Sequence, residues 1–343
     1  MAELSPRTLE SLIRAHCPDL NGAIAFSRIP TGKFNTSFFV HGAKQELVLR
    51  IAPPRDAVFV FYEREMMRQE PGIHDLVRSQ TTVPVPRILA FDDSHQWVDR
   101  DFLIMERLPG RPLTEAGHVS YDDVLRQVGR HLAEVHRLRS GAERHAVEGW
   151  RPASERFTGG ASRPPLTAER YGYLGPHRPM EPQRTWGAAF EIMWHKMIQD
   201  IASVGHYGPE ESRMLRRLLD KHLGLFDRPV PASLLHMDVW HQNILVDEFG
   251  KVTGLLDWDR ALWGDPEIEF AVLDYCGISE PAFWEGYGRQ RDESEEARVR
   301  QVFYLLYELQ KYIVIREGRG RDSAGARRYK HQVMGIVQKA FSP

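Results

Sequence analysis

The sequence has few of the features that mark secreted, metal-cluster or membrane proteins. It has 343 residues but only two cysteines, Cys17 and Cys276, and no Cys-x-x-Cys pair, so neither a disulfide framework nor a zinc site of that type is expected. Its first residues lack the basic segment and apolar core of a signal peptide. No apolar run approaches the about 20 residues that cross a bilayer. We therefore expect a cytoplasmic protein without a membrane partner.

The charge balance shows no excess of one sign. The formal net charge is −2, from 45 Lys and Arg against 47 Asp and Glu, so nothing in the overall charge suggests nucleic acid as a partner. Hydrophobic residues make up 42% and charged residues 27% of the chain, as in globular proteins. The length allows two lobes or two domains. No internal repeat is visible, and nothing indicates the oligomeric state.

The first third of the chain is rich in β-strand patterns. Ser5-Pro6 predicts a helix over Arg7–His16. Short apolar runs then predict antiparallel strands in "AIAFSRIP", "TSFFVHG", "ELVLRIA", "VPRILAF" and "DFLIMERL". A helix is predicted over Asp56–Gln69. Because Pro109-Gly110 ends this pattern, we place a boundary near Leu108, with one unit over residues 1–108 and another over 109–343.

The remainder of the chain reads as mostly helical, which makes the fold class α+β. Helical apolar spacing occurs in "YDDVLRQVGRHLAEVHRL", "WGAAFEIMWHKMIQDI" and "PEESRMLRRLLDKHLGLF", and three helices are expected after Pro266. Residues 140–184 have no period, which indicates a functional or disordered loop. Residues 311–339 carry many more Arg and Lys than Asp and Glu. We interpret them as a solvated helical face, with a role against an anionic ligand as the alternative.

One polar cluster stands between apolar runs in "LLHMDVWHQNILVDEFGKVTGLLDWDRALWGDP", residues 234–266. "NILVD" and "KVTGLLDWD" predict two strands joined by a turn at Gly250, which would fold Asp257 back toward Asn243. Amide and carboxylate oxygens are ligands for Mg²⁺, and phosphate oxygens usually complete such a site. Asp238 could accept the proton of an attacking hydroxyl. The cluster therefore indicates phosphoryl transfer.

This segment resembles the catalytic and metal loops of the protein-kinase-like fold, and more closely those of the aminoglycoside phosphotransferase family. The resemblance rests on the spacing His236-x-Asp238-(x)4-Asn243 and on Asp257 after the hairpin. It implies a two-lobed fold with an antiparallel-sheet N-lobe and a mostly helical C-lobe. It also implies that Asp238 is the catalytic base, that Asn243 and Asp257 hold magnesium on ATP phosphates, and that His236 braces the loop.

Two positions of this loop need separate comment. The family usually has glycine after the loop histidine, whereas this chain has Met237, whose side chain must pack inward or narrow the site. Trp240 lies beside the base, where it could shape the acceptor pocket.

The same resemblance places a nucleotide site in the first lobe. Gly32 and Asn35 lie in "PTGKFN", where the loop that covers the phosphates is expected. Arg50 occupies the position of the phosphate-binding lysine, and a guanidinium can grip phosphate through two donors. Glu65 is expected to pair with Arg50, with Glu63 as the alternative. The remaining expected nucleotide contacts are Met105, lining the adenine pocket, and the backbone of Glu106 and Leu108 at the adenine edge.

Several polar residues have structural interpretations. His241 reads as a partly exposed loop histidine, and Asp265 before Pro266 reads as a helix N-cap. Asp259 shares a strand face with Asp257 and is left open as a supporting or acceptor-side acid.

Three functions remain open from sequence. The leading one is an ATP- and Mg²⁺-dependent O-phosphotransferase acting on a small hydroxylated molecule, of the antibiotic or metabolite kinase type. The alternatives are a nucleotide-binding protein without transfer activity and, less favoured, a metal-dependent hydrolase that would use both loop histidines.

The sequence does not distinguish among an antibiotic, a sugar, an amino alcohol and other metabolites as the acceptor. Aminoglycosides are polycations, and their sites in this family are lined with acids. Candidate acids for such a site are Glu267, Glu269, Asp274, Glu280 and Glu285. The basic residues in 140–184 and at the end of the chain do not suit a polycation.

Overall fold

The first lobe is built on an antiparallel sheet. The computed structural model describes residues 4–31, 34–43, 45–140 and 169–341. Helix α1 (Pro6–His16) buries its apolar face against a five-stranded sheet in the order β1-β2-β3-β5-β4. The strands are β1 (Ala25–Ile29), β2 (Thr36–His41), β3 (Glu46–Ile51), β4 (Ile88–Asp92) and β5 (Phe102–Glu106). Four of the five strands lie within the runs predicted from sequence, and β4 extends one residue beyond its run, to Asp92.

The prediction of a helix over Asp56–Gln69 is wrong, because the second helix of this lobe begins only after Gln69. That segment consists of turns and one 3₁₀ turn at Met66–Gln69, and helix α2 runs over Glu70–Gln80. Pro71 lies in the first turn of α2. Proline is tolerated there because the amide it lacks would have no partner within the helix. The Pro71-Gly72 pair therefore starts this helix instead of ending one.

The second lobe is mostly helical. Its bounds are α3 (Tyr121–Val135), α4 (Trp186–Ser203), α5 (Pro209–His222), α6 (Pro266–Tyr275), α7 (Pro281–Tyr287), α8 (Glu295–Gly318) and α9 (Ser323–Phe341). Four helices therefore follow Gly264, where three were predicted. The predicted loop over 140–184 lies largely outside the described residues, which resume at residue 169. Among the described residues, no helix is both long and apolar enough to cross a membrane.

A small β-structure between the lobes carries the polar cluster. Strands β8 (Ile244–Val246) and β9 (Val252–Leu255) form the predicted hairpin, with Gly250 at φ 81° in its turn. β6 (Arg111–Pro112) pairs with β8, and β7 (Ser233–Leu235) pairs with β10 (Leu262–Gly264). The chain thus leaves the first sheet after Glu106 and joins another sheet at Arg111. The predicted division near Leu108 falls in the segment between these two sheets and stays a prediction.

Helices α3 and α7 cross at a point where neither has room for a side chain. A Cβ on Gly129 would lie 2.2 Å from the Phe283 carbonyl oxygen, and one on Gly286 would lie 2.0 Å from the Arg126 carbonyl oxygen. Such distances are well below van der Waals contact, so only glycine lets the two backbones approach. The crossing fixes the position of Tyr287, the last residue of α7.

Candidate active site

A cleft of about 920 Å³ lies between the two lobes. One part of its wall comes from the first sheet and the segment after it. The other part comes from the polar loop, the β8–β9 hairpin, the end of α6 and one face of α8. The sites predicted from sequence meet here, because Asp238, Asn243, Asp257 and Arg50 all line this cleft.

The loop between β7 and β8 brings Asp238 and Asn243 into direct contact. Asn243 Nδ2 donates to the Asp238 carbonyl oxygen at 2.9 Å and to Asp238 Oδ2 at 3.0 Å. This leaves Asn243 Oδ1 as the oxygen that can coordinate a cation. Burial raises the pKa of Asp238, while Lys311 lowers it and Asp257 raises it further. A carboxylate with a raised pKa is suited to accept a proton.

The Met237 backbone explains why glycine is usual at this position. Met237 has φ 67°, in the left-handed region that glycine enters freely and other residues enter at a cost of about 1–2 kcal/mol. Its side chain is fully buried in the helical core, so it packs inward and does not narrow the cleft. Burial of the methionine side chain offsets the backbone cost.

A buried carboxylate on α6 holds the loop that carries Asp238. Glu269 accepts hydrogen bonds from the backbone amides of Met237 at 2.7 Å and His236 at 3.2 Å. Glu269 Oε2 lies 2.7 Å from His136 Nε2, and His136 Nδ1 lies 2.9 Å from the Tyr287 hydroxyl. Burial alone would raise the pKa of Glu269, and the hydrogen bond and charge of His136 lower it below its usual value. Glu269 is thus a positioning residue that sequence reasoning had placed at the acceptor.

His236 and His241 serve the loop and do not form a metal site with Asp257. His236 is fully buried, accepts a hydrogen bond at Nδ1 from the Asp238 amide, and packs on Trp258 with ring centroids 4.2 Å apart. His241 stacks on Tyr121 and shares a hydrogen bond with its hydroxyl. These contacts leave the hydrolase alternative without its ligand set.

Arg50 on β3 contacts three carboxylates. Its Nη1 lies 2.5 Å from Glu70 Oε2, and its Nη2 lies 2.5 Å from Asp257 Oδ1 and 3.2 Å from Asp259 Oδ2. Burial would lower the pKa of Arg50, but Glu70, Asp257 and Asp259 raise it above its usual value. Arginine can make these contacts because its fork presents several donors at once.

The predicted ion pair between Arg50 and Glu65 is wrong, and Glu70 takes that place. Glu65 instead pairs with Arg68 at 3.0 Å and is partly exposed on the outer side of the turn. The alternative, Glu63, binds Arg319 at 2.8 Å. The error follows from the misplaced helix: Glu70 is the first residue of α2, where its fully buried side chain reaches β3. Pro71 next to this acid was the available signal for the start of the helix.

Asp259 joins several segments beneath the phosphate-covering loop. Its Oδ2 accepts a hydrogen bond from Asn35 Nδ2 at 3.2 Å, and its carbonyl oxygen accepts one from Gln69 Nε2 at 2.5 Å. Burial raises the pKa of Asp259 well above its usual value, as do Asp257 and Glu70, against the opposing effect of Arg50. Asn35 is therefore anchored at the cleft wall. Gly32, the other residue predicted in this loop, lies outside the described residues.

The residues predicted around adenine lie on β5 and just after it. Met105, Glu106 and Leu108 all line the cleft. The Glu106 amide donates to the Arg87 carbonyl at 3.0 Å, so the carbonyl of Glu106 is the group left for an adenine edge. Gly254 on β9 lies close enough that an added Cβ would be 2.9 Å from Leu108 Cδ1. This packing holds the start of the second lobe against the hairpin.

The acids expected at the acceptor lie elsewhere, and none of them lines the cleft among the described residues. Glu267 pairs with Arg300, and Glu269 is the brace described above. Asp274 pairs with Arg291, Glu285 with Arg126, and Glu280 is the N-cap of α7. Asp265 caps α6 as predicted, accepting from the Glu267 amide at 3.1 Å. Acids do line the cleft, namely Glu63, Glu106, Glu115, Asp238, Asp257 and Asp259, but none of them is one of the five acids expected at the acceptor.

The donor set of the cleft fits magnesium. Asp257 and Asn243 present a carboxylate and an amide oxygen, and these hard ligands suit Mg²⁺ better than zinc. Asp257 has φ 70°, a left-handed conformation that aspartate tolerates. The left-handed turn follows β9 directly, and the Asp257 side chain is about one third exposed.

A two-lobed kinase-like fold with an aspartate and an amide–carboxylate pair in its cleft defines a class of phosphotransferases. The family model described as "Phosphotransferase enzyme family" matches residues 25–302, and the chain belongs to this family. The resemblance to aminoglycoside phosphotransferases and the two-lobed α+β fold are thereby confirmed.

Two curated relatives bear the name "Probable ketoamine kinase". The one from Vibrio parahaemolyticus is 23% identical over 288 residues, covering 82% of this chain and 83% of the relative. The one from Klebsiella aerogenes is 26% identical over 242 residues, covering 68% of this chain and 70% of the relative.

Solved structures share the fold. A Haemophilus somnus protein assigned as a fructosamine-3-kinase superposes with TM-score 0.65 at 16% identity, covering 96% of this chain and 97% of that one. Aminoglycoside phosphotransferase APH(4)-Ia, in a ternary complex with AMP-PNP and hygromycin B, superposes with TM-score 0.61 at 16% identity, covering 97% and 99%. At such identities these matches establish the fold alone.

Proposed function

We propose that this protein is an ATP- and Mg²⁺-dependent O-phosphotransferase that acts on a small hydroxylated molecule. The observation that carries the proposal is the contact between Asp238 and Asn243 in a cleft that Asp257 and Arg50 also line. A protein that only binds nucleotide does not need a carboxylate with a raised pKa at this point. The alternative without transfer activity is therefore less favoured.

Each group has a separate task in this proposal. Asp238 orients the acceptor hydroxyl and takes its proton as the phosphoryl group is transferred. Asn243 and Asp257 would hold Mg²⁺, which neutralises charge on the phosphates when it is bound. Arg50 binds phosphate oxygens, and Glu70 fixes its guanidinium. The adenine lies against Met105, with Glu106 and Leu108 at its edge and Asn35 near the phosphates.

The names of the relatives limit the choice of acceptor only in part. Their names point to ketoamines, so ketoamines join sugars, amino alcohols and antibiotics among the acceptors to be tested. We also propose that the protein acts in the cytoplasm.

The test compares Asp238→Asn with Asp99→Asn, an exposed acid remote from the cleft. ADP release is measured with a mixed set of hydroxylated acceptors, and ATP-analogue binding is measured by calorimetry. We expect Asp238→Asn to bind the analogue normally but to lose about 100-fold or more in turnover, because general base catalysis contributes about 10²–10⁴. Full turnover by Asp238→Asn would overturn the proposal.

A further inference from the structure

The acceptor end of the cleft is formed by α8, the end of α6 and the turn segment before α2. Its lining includes Glu63, Arg260, Tyr275, Lys311, Tyr312 and Arg319. It contains none of residues 105–108, where the adenine is proposed to bind, whereas Arg319 lies 4.8 Å from the ring centre of Phe34 in the segment before β2. Its content should therefore determine which acceptor is used.

Cations outnumber acids at this end. Arg260, Lys311 and Arg319 line it, whereas Glu63 is its acid apart from the proposed base Asp238. Behind the wall, Glu308 accepts both Arg260 at 2.7 Å and Lys311 at 2.5 Å, so one carboxylate serves two cations. Glu63 and Glu308 are thus already paired with protein cations.

Hydrogen-bond donors are also in excess. Glu63 uses Oε2 to accept the Val60 amide and Oε1 to pair with Arg319. Arg319 Nη1 is buried and, despite this pair, makes no hydrogen bond of normal geometry in the described part of the chain. An ammonium has three donors and a guanidinium has five. A bound molecule with acceptor oxygens would receive hydrogen bonds from these cationic donors.

Aromatic rings stand beside these cations. The Tyr275 and Tyr312 rings lie 5.6 Å apart between centroids, and Tyr329 stacks on Tyr312 at 4.9 Å. Lys311 Nζ lies 4.8 Å from the Tyr312 ring centre. Ring faces of this kind pack on the apolar face of a sugar or on another ring.

Resting on the proposed function, we propose that the acceptor is a hydroxylated molecule with a carboxylate, and that Lys311 binds this carboxylate while Tyr275 and Tyr312 contact its carbon skeleton. This assignment separates the protein from kinases of polycations, whose sites must present unpaired acids. It also gives a function to the start of the basic segment 311–339.

Three matched probes test the assignment. D-gluconate, D-glucitol and D-glucamine share a six-carbon hydroxylated chain and differ at one end, which is a carboxylate, a hydroxyl or an ammonium. Their binding is measured by calorimetry on the full chain saturated with a non-hydrolysable ATP analogue and Mg²⁺. We expect gluconate to bind about 10- to 100-fold more tightly than glucitol, because hydrogen bonds to charged groups are the strong ones, and glucamine to bind most weakly.

Single-residue variants test which side chain gives the preference for gluconate. Lys311→Met should reduce the preference for gluconate over glucitol by about 10-fold, while the affinity for the ATP analogue stays unchanged. Lys311→Arg should restore much of the preference. The control is Lys221→Met, an exposed lysine on α5, which should retain the full preference.

The outcomes separate this inference from the proposed function. Absence of gluconate binding, equal affinity for the three probes, or tightest binding of glucamine would overturn the assignment. A change in analogue affinity in Lys311→Met, with the gluconate preference intact, would also overturn it, because Lys311 would then serve the nucleotide. Binding needs no transfer, so the gluconate preference is measurable even if Asp238→Asn turns out fully active.

Discussion

Arg50 contacts three carboxylates, of which Glu70 and Asp259 lie outside the proposed pair of metal ligands. Glu70 is fully buried, whereas Glu65 is partly exposed and pairs with Arg68. The matched variants Glu70→Gln and Glu65→Gln therefore separate two neighbouring acids of the same type.

We expect Glu70→Gln to reduce the free energy of unfolding by about 1–3 kcal/mol, because a buried charged hydrogen bond is weakened. It should also weaken ATP-analogue binding by about 10-fold, because the Arg50 fork is no longer fixed. Glu65→Gln should change either quantity little. Urea unfolding and calorimetry measure both. A larger effect from Glu65→Gln would restore the original assignment.

Met237 combines an unfavourable backbone conformation with a buried side chain. Met237→Gly should relieve about 1–2 kcal/mol of backbone cost but lose about 2–5 kcal/mol of packing. We therefore expect the glycine variant to be less stable by about 1–3 kcal/mol. Met237→Leu keeps the volume and should cost less than about 1.5 kcal/mol. The urea concentration at the midpoint of unfolding measures the stability of each variant. A glycine variant as stable as the natural protein would show that the packing contributes little.

Among elements, the strands were predictable and one helix start was not. The apolar runs of the first sheet and the β8–β9 hairpin end at turn residues, so local chemistry defines them. The start of helix α2 was not predicted, although proline is at home in a first turn and Pro71 follows the first residue of this helix.

The core of the candidate site also followed from local spacing, since Asp238, Asn243 and Asp257 lie on one loop and hairpin. The contacts of Arg50 with Glu70 and Asp259 and of Asn35 with Asp259 could not be predicted in this way. Most of them join residues far apart in the chain, and the pairing depends on how the elements pack in three dimensions.

The α3–α7 crossing gives a prediction at this scale. Gly286→Ala would place a methyl group 2.0 Å from the Arg126 carbonyl oxygen, so the helices must separate. We expect a loss of stability of about 2 kcal/mol or more, of the size found for overpacked cores. Gly335→Ala in α9 is the control, because a Cβ there meets nothing within 4 Å. It should stabilise the protein by about 0.5–1 kcal/mol through helix propensity. Thermal unfolding that ranks the two variants in the opposite order would contradict the packing described here.

Asp200 on α4 gives a pH dependence to the contact with the turn segment. Its Oδ2 accepts the Phe61 amide at 2.6 Å. Burial raises the pKa of Asp200 to about 6, although the Phe61 hydrogen bond and Lys196 partly oppose this. An unfolded aspartate titrates near 3.9. Between these values the folded state binds the proton more strongly, so this residue's contribution to stability falls as pH rises from about 4 to about 6.

Asp200→Asn removes this titration but keeps an oxygen for the Phe61 amide. The variant should gain stability relative to the natural protein as pH increases from 4 to 7. Melting temperatures across that range measure the difference, with Asp99→Asn as an exposed control. Parallel curves for Asp200→Asn and the natural protein would show that the carboxyl titrates normally.

For the whole molecule, the two lobes meet at a site that needs ligands from both. An ATP analogue with Mg²⁺ should therefore raise the melting temperature. At a ligand concentration of 100 times Kd, binding adds about 2.7 kcal/mol to the free energy of unfolding. EDTA should remove most of this gain, and Asn243→Ala should reduce it. The same analogue effect with and without EDTA would argue against a metal held by Asn243 and Asp257.

The chain of contacts from the α3–α7 crossing through Tyr287, His136 and Glu269 ends at the backbone of the catalytic loop. Natural variation at the outer surface of these helices could thus tune the rate of turnover without altering the cleft. In a directed-evolution experiment, substitutions that recover a weakened enzyme should therefore accumulate around residues 126–136 and 283–287 as well as among ligand-contacting positions.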